Sequence, residues 1–207
     1  MNLKELLYTV MEQYPIESRK NYANNDLAKT IRSGLDNSVG EDFLPTKMKF
    51  KGSAGTSKWA TIPWMGIFDR DISNGPSSGV GVVYLFTSDG NHVYLSLDQS
   101  WTLYHKKYKK DAYQKIKQVS KLIQSELTSI TTRMNTDTIM LTEYRKSTGL
   151  PQGYELGNIV SIKYDKNNLP NNNVLLDDLR QMIKVFEELK AKLSKISDSY
   201  DTDVFLD

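Results

Sequence analysis

The chain has 207 residues, no cysteine, only two histidines (His92 and His105) and a formal net charge of +2. Without cysteine there are no disulfides, thiolate metal ligands or cysteine nucleophile, and two histidines leave almost nothing for a histidine metal centre or a Ser-His-Asp triad. Apolar residues at 39% and charged residues at 25% fit a globular core rather than a disordered tail, and no apolar run nears the roughly 20 residues of a membrane helix.

In chain order, residues 3–14 place Leu3, Leu6, Leu7, Val10 and Met11 at helical spacing. The charges inside this opening stretch and the lack of a cleavage signature argue against a secretory signal, so the expected location is cytoplasmic, with no membrane partner. A second helix is predicted over about 25–35, with Leu27, Ile31 and Leu35 on one stripe, completing a helical cover over 1–40. Residues 47–51 alternate polar and apolar as a half-buried strand does. A loop of glycines and small hydroxyl residues is predicted at 52–57, then an aromatic-rich strand at 59–69 and a polar loop at 71–79. Strands at 80–87 and 92–97 flank a hairpin connection at 88–91. The stretch 101–131 has neither glycine nor proline and reads as one or two lysine-rich helices. A short strand is predicted at 138–141, a loop at 149–157 around Pro151, Gly153 and Gly157, and a strand at 158–164. A linker follows at 166–173. The last helix, 174–197, carries Leu176, Leu179, Ile183, Phe186, Leu189 and Leu193 on its apolar face. Residues 198–207 read as the start of a linker, as expected of a domain cut from a longer protein. The fold class is α+β in one domain, 1–207: a mostly antiparallel sheet core at 45–165, flanked by helices at both termini and by the helical insertion.

Charge is unevenly spread. Residues 101–123 hold seven lysines against Asp111 alone, whereas 174–207 hold five basic residues against eight acidic ones. A basic face can meet a polyanion, and it can equally be a solvated helix face. There is no Gly-x-x-x-x-Gly-Lys-Ser/Thr and no Gly-x-Gly-x-x-Gly, so nucleotide hydrolysis and dinucleotide binding lack support. Asp178 with Glu188 and Lys190 spells a carboxylate–lysine nuclease motif but falls on a predicted helix, where such residues pair with each other. Asp69, Asp71 and Glu155 are the remaining acids that a cryptic nuclease would use. No enzyme, cofactor or metal is expected in this chain.

The stronger signal is aromatic. Trp59, Trp64, Phe68, Tyr84, Phe86 and Tyr94 fall within 36 residues on adjoining strands. Core packing accounts for any one of them. Strand alternation puts Trp64, Gly66 and Phe68 opposite to Met65 and Ile67, and Val83 and Leu85 opposite to Tyr84 and Phe86. One face is then free to be an aromatic pocket. Beside a glycine-rich loop and a basic helix, such a pocket has what holding an extruded base requires: stacking at about 1–3 kcal/mol per base, close backbone approach and phosphate neutralisation.

The run WATIPWMGIFD followed by GVGVVYLFTSDGNHVYLSLDQ resembles the N-terminal DNA-binding domain of McrB-type modification-dependent restriction systems. The shared pattern is a Gly/Ser-rich loop (52–57), Trp59, the Thr61-Ile62-Pro63-Trp64 core, the strand 79–86 and the turn 88–91, with further likeness at 150–155 and 159–164. The resemblance implies recognition of duplex DNA carrying 5-methyl- or hydroxymethylcytosine by flipping the base into a pocket. Trp64 matches the pocket tryptophan, Leu85 the apolar residue against the base and Tyr154 a later pocket tyrosine. Phe68 and Tyr84 are the other aromatic candidates. The family's wedge loop maps to Gly55, Thr56, Ser57, Lys58 and Trp59, with Thr56 where an aromatic wedge can stand, so the gap is left to Lys58, Ser57 or Trp59, or to water. Phosphate-contact candidates are Lys47, Lys49, Lys51, Lys106, Lys107, Lys109 and Lys110. The resemblance also implies a GTPase motor in the same full-length chain and a separate nuclease subunit as partners. The alternatives are a protein-interaction or scaffold domain, and a module for unmodified DNA without base flipping.

Overall fold

Five strands joined in chain order form one antiparallel sheet without crossovers: β1 (Met48–Gly55), β2 (Trp59–Asp69), β3 (Val80–Phe86), β4 (His92–Gln99) and β5 (Asn158–Asp165). The structure is a computed structural model and describes residues 1–40, 43–73, 75–142 and 149–206. The register pairs Met65 with Tyr84 and Tyr84 with Leu95, and pairs Trp64 with Leu85 and Leu85 with Tyr94. Directly paired residues share a face, so the sheet sorts its side chains cleanly. Met65, Ile67, Val82, Tyr84, Phe86, Leu95, Leu97 and Ile162 build the large core. Phe68, Val83, Leu85 and Tyr94 build a second, smaller cluster, with Trp64 packed against it.

Helices cover the large-core face. α1 (Leu3–Glu17) opens on a capping box in which Asn2 accepts from the Glu5 amide and Glu5 accepts from the Asn2 amide. α2 (Asp26–Val39) is capped by Asn25 and lies against β1. There Gly52 lets the backbones meet: a Cβ at 52 would stand 1.8 Å from the Ile31 carbonyl oxygen. The lysine-rich insertion is two helices, α3 (Trp101–Tyr108) and α4 (Ala112–Glu126), broken by a short 3₁₀ turn that Lys109 enters at φ +51°. The last helix, α6 (Asn172–Ile196), spans 25 residues and buries Leu179, Ile183, Phe186, Leu189 and Leu193, the stripe its spacing predicts except for Leu176, which is half-buried.

Five expectations are corrected. β1 runs through 52–55, so only 56–58 are left to turn the chain into β2. Residues 149–157 are not a loop: they hold α5 (Leu150–Gly157), with Pro151 in the first turn where its missing N–H costs nothing. Gly153 lets that helix touch Trp101, whose Cγ would lie 2.1 Å from an added Cβ. No strand forms at 138–141. The Leu141 amide bonds the Glu155 carboxylate at 2.8 Å instead of a ladder partner, and Ile139 and Leu141 cap the smaller cluster. Of the predicted linker at 166–173, 166–168 is a 3₁₀ turn and the end opens α6. In the stretch read as a linker start, 202–206 is a packed turn: Thr202 and Asp203 are buried, and the Tyr104 hydroxyl lies 3.0 Å from that of Thr202. Asn74 of the polar 71–79 loop and Asp207 lie outside the described residues.

Candidate nucleic-acid interface

On the smaller-cluster face a pocket opens between β2, β3, the start of α3 and α5. Trp64, Phe68, Val83, Leu85 and Tyr154 form its apolar walls, with Pro76, Ser78 to Gly81 and Asp98 to Ser100 completing it. The enclosed part of this space is about 20 Å³, and the rest is open to solvent. Trp64 stands edge-on to Phe68 with ring centroids 5.9 Å apart and stays half-buried, its indole the wall partly facing solvent. Phe68 and Leu85 are each 1% exposed and set the floor. Gly81 makes the floor possible: a Cβ there would lie 2.6 Å from the Phe68 ring. Tyr154 enters from α5, which the Trp101–Gly153 contact holds over the sheet. Burial raises the Tyr154 hydroxyl above its ordinary range, with the Asp98 charge adding to it, so the phenol stays neutral.

Tyr84 is not in the pocket. It is fully buried on the opposite face, because it sits one residue from Leu85 and alternation turns it into the large core. Its hydroxyl has no hydrogen-bond partner among the described residues, and burial, then the Asp178 charge, raises its pKa.

The turn candidates divide. Thr56, Ser57 and Lys58 are exposed at the tip of the β1–β2 hairpin, while Gly55 ends β1 at φ +124°. Trp59 is tied down instead of free to wedge. Its Nε1 donates to the Lys20 carbonyl at 2.9 Å, and its ring meets Tyr14 and Tyr22 edge-on at 5.4 and 5.2 Å. That fixes it to the helical cover and leaves the three tip residues as the available ones.

The lysines divide as well. Lys49 and Lys51 pair with Phe68 and Gly66, which puts both on the pocket face of the edge strand. Lys47 is 2.8 Å from Asp71, and Lys107 is paired with Asp203. Lys106, Lys109 and Lys110 are exposed on α3 and the turn after it, and α3 packs against α5.

The acids considered for catalysis are engaged elsewhere. Lys190 reaches Asp69 at 2.6 Å and Asp71 at 2.9 Å. Arg133 holds buried Asp178 through Nε and one terminal nitrogen at 2.7 and 2.8 Å, and the Tyr164 hydroxyl donates to it at 3.0 Å. Glu188 accepts from the Thr128 and Ser129 amides, and Glu155 from that of Leu141. Sequence reasoning missed the wall at 76–81 and, above all, Asp98. The available signal was an acid near the end of the strand HVYLSLDQ.

The arrangement, a meander sheet with one face sealed by helices and the other opening an aromatic pocket beside basic residues, is that of a binding module. The profile of the MrcB-like N-terminal domain family matches residues 9–191, and the chain belongs to that family. It is therefore a DNA-binding recognition module of the McrB type. No curated protein and no solved structure matches the chain.

Proposed function

We propose that this chain recognises duplex DNA carrying 5-methyl- or hydroxymethylcytosine by taking the extruded base between Trp64, Phe68, Leu85 and Tyr154. The observation that carries the reading is the convergence of Trp64, its cross-strand partner Leu85 and Tyr154 of α5 on one pocket with a solvent-open mouth. Such walls supply stacking at about 1–3 kcal/mol per base. A C5 methyl adds only about 0.8 kcal/mol of burial, so the pocket must work with backbone contacts to hold the DNA. Lys49, Lys51, Lys106, Lys109 and Lys110 are the phosphate-contact set, and Thr56, Ser57 and Lys58 fill the gap in the stack. In this reading the recognised DNA is handed to a GTPase motor in the same full-length chain and a separate nuclease subunit, and the chain's own part is recognition.

The test is fluorescence anisotropy with three duplexes that are identical except for one cytosine: unmodified, 5-methyl and 5-hydroxymethyl, at about 150 mM salt, where non-specific binding is damped. Tighter binding to a modified duplex is expected and names the mark. Equal, salt-sensitive binding to all three would replace this reading with a general DNA-binding module, and no binding with a protein-interaction domain.

A further inference from the structure

The pocket contains one polar group that its walls do not explain. Asp98 is 6% exposed and pairs with Gly81 across β3 and β4, which places it on the pocket face. Its Oδ1 has no hydrogen-bond partner among the described residues. A buried oxygen left without a donor is costly and uncommon, and at a pocket wall it marks where a ligand donor completes the set. The other oxygen is accounted for. Oδ2 lies 3.3 Å from the Ser96 hydroxyl, and the Ser96 hydroxyl donates to Asn158 Oδ1 at 2.7 Å. Asn158 is itself anchored, its side-chain amide donating to the Asp137 carbonyl at 3.0 Å.

This chain of contacts fixes what Oδ1 offers. A serine hydroxyl has one proton, and the shorter contact assigns it to Asn158. When the carboxyl is neutral, its own proton then belongs on Oδ2, facing the Ser96 oxygen, and Oδ1 is a carbonyl acceptor. When the carboxyl is ionised, Oδ1 is an acceptor again. Burial raises the pKa of Asp98 well above the usual carboxylate range, which favours the neutral form. Gly157 packs closely beside Oδ1, for a Cβ there would lie 2.7 Å from it.

We infer that Asp98 is the specificity-determining residue of the pocket, its Oδ1 accepting a hydrogen bond from the exocyclic amine of an extruded cytosine. Thymine carries the same C5 methyl but presents a carbonyl oxygen at that position, so two acceptors would face each other in a buried site and the base would be rejected. The inference rests on the base-extrusion reading above and adds to it the group that tells methylated cytosine from thymine, which the apolar walls cannot do.

The experiment compares wild type, Asp98→Ala and Asp98→Asn on four duplexes differing at one position opposite guanine: cytosine, 5-methylcytosine, thymine and 5-methylpyrimidin-2-one. The last keeps the ring and methyl but lacks the amine. A thymine–guanine mismatch opens more readily than a paired cytosine, so weaker binding to it reports the pocket and not the cost of extrusion. Wild type is expected to prefer 5-methylcytosine over thymine and over the amine-free base by about tenfold. Asp98→Ala is expected to bring these ratios within about twofold of unity. Asp98→Asn is expected to keep them, since its amide can donate to Ser96 and still present its carbonyl oxygen to the base. A folded Asp98→Ala protein with wild-type ratios would overturn the inference. So would wild type binding the amine-free base as tightly as 5-methylcytosine, a result that needs no variant to fold. Wild type preferring neither 5-methylcytosine here nor 5-hydroxymethylcytosine in the duplex test above over cytosine would instead overturn the extrusion reading and the Asp98 role with it.

Discussion

Trp64 and Tyr84 carry similar aromatic bulk on adjacent, paired strands, yet alternation gives them opposite fates. Trp64 is half-buried in the mouth of the pocket, while Tyr84 is sealed in the large core with an unpartnered hydroxyl. Trp64→Ala should therefore remove about 1–3 kcal/mol of base stacking, read as lost preference for a modified duplex, with an unchanged far-UV circular dichroism spectrum. Unfolding of this variant would place Trp64 in the core and defeat the pocket assignment. Tyr84→Phe should behave in the opposite way. Deleting a buried hydroxyl that bonds to nothing relieves its desolvation penalty, so urea unfolding should show unchanged stability or a gain of about 1 kcal/mol. DNA binding should not move. A loss of discrimination in Tyr84→Phe would show that the large-core face communicates with the pocket.

At the scale of elements, the sheet was legible and the segment that closes it was not. Alternation at 47–51, the aromatic run at 59–69 and the hairpin around 88–91 all place strands where they stand, because each obeys a period of two between clear turn residues. α5 was hidden by its own composition: Pro151, Gly153 and Gly157 read as breakers, although the proline sits in the first turn and both glycines serve close contacts. The strand expected at 138–141 failed for a complementary reason, since the side chain of Glu155 takes the place of a neighbouring backbone. The pocket candidates Trp64, Phe68 and Leu85 followed from parity, whereas Asp98 and the 76–81 wall needed the third dimension. Two predictions belong at this scale. Gly153→Ala gains about 1 kcal/mol in helix propensity but drives a methyl into Trp101, which stacks on Tyr113 at 4.4 Å; the net should be a loss of about 1–3 kcal/mol in denaturant unfolding. A more stable Gly153→Ala protein would mean that α5 can lift from α3 freely. The second concerns the join between α4 and α6. Desolvation raises the pKa of Glu188, but the Thr128 and Ser129 donors outweigh it and bring the group from 4.5 to about 2. A lowered folded-state pKa gives stability that is present above pH 4.5 and lost as the pH falls toward 2. Thermal unfolding of wild type should decline through that window, and Glu188→Gln should flatten the decline.

For the molecule as a whole, the near-zero net charge conceals a division of labour among its lysines. Lys107 is neutralised within the fold by Asp203 of the terminal turn, and Lys190 and Lys47 serve the Asp69–Asp71 cluster. Lys106, Lys109 and Lys110 are exposed on the helical insertion that abuts α5. Each phosphate that a lysine neutralises contributes about 0.9 to the slope of log affinity against log salt. Replacing Lys106, Lys109 and Lys110 together by glutamine should reduce that slope by about 2–3. The loss should be the same for modified and unmodified duplexes, because phosphate contacts position the DNA without reading the base. Lys107→Gln should change the slope far less and instead loosen the 202–206 turn, visible as faster amide exchange there, since it removes the partner of a buried carboxylate. An unchanged slope in the triple variant would move the DNA path off α3 and onto the edge strand, where Lys49 and Lys51 share the pocket face. A selective loss for the modified duplex would mean that these lysines act on the extruded nucleotide itself.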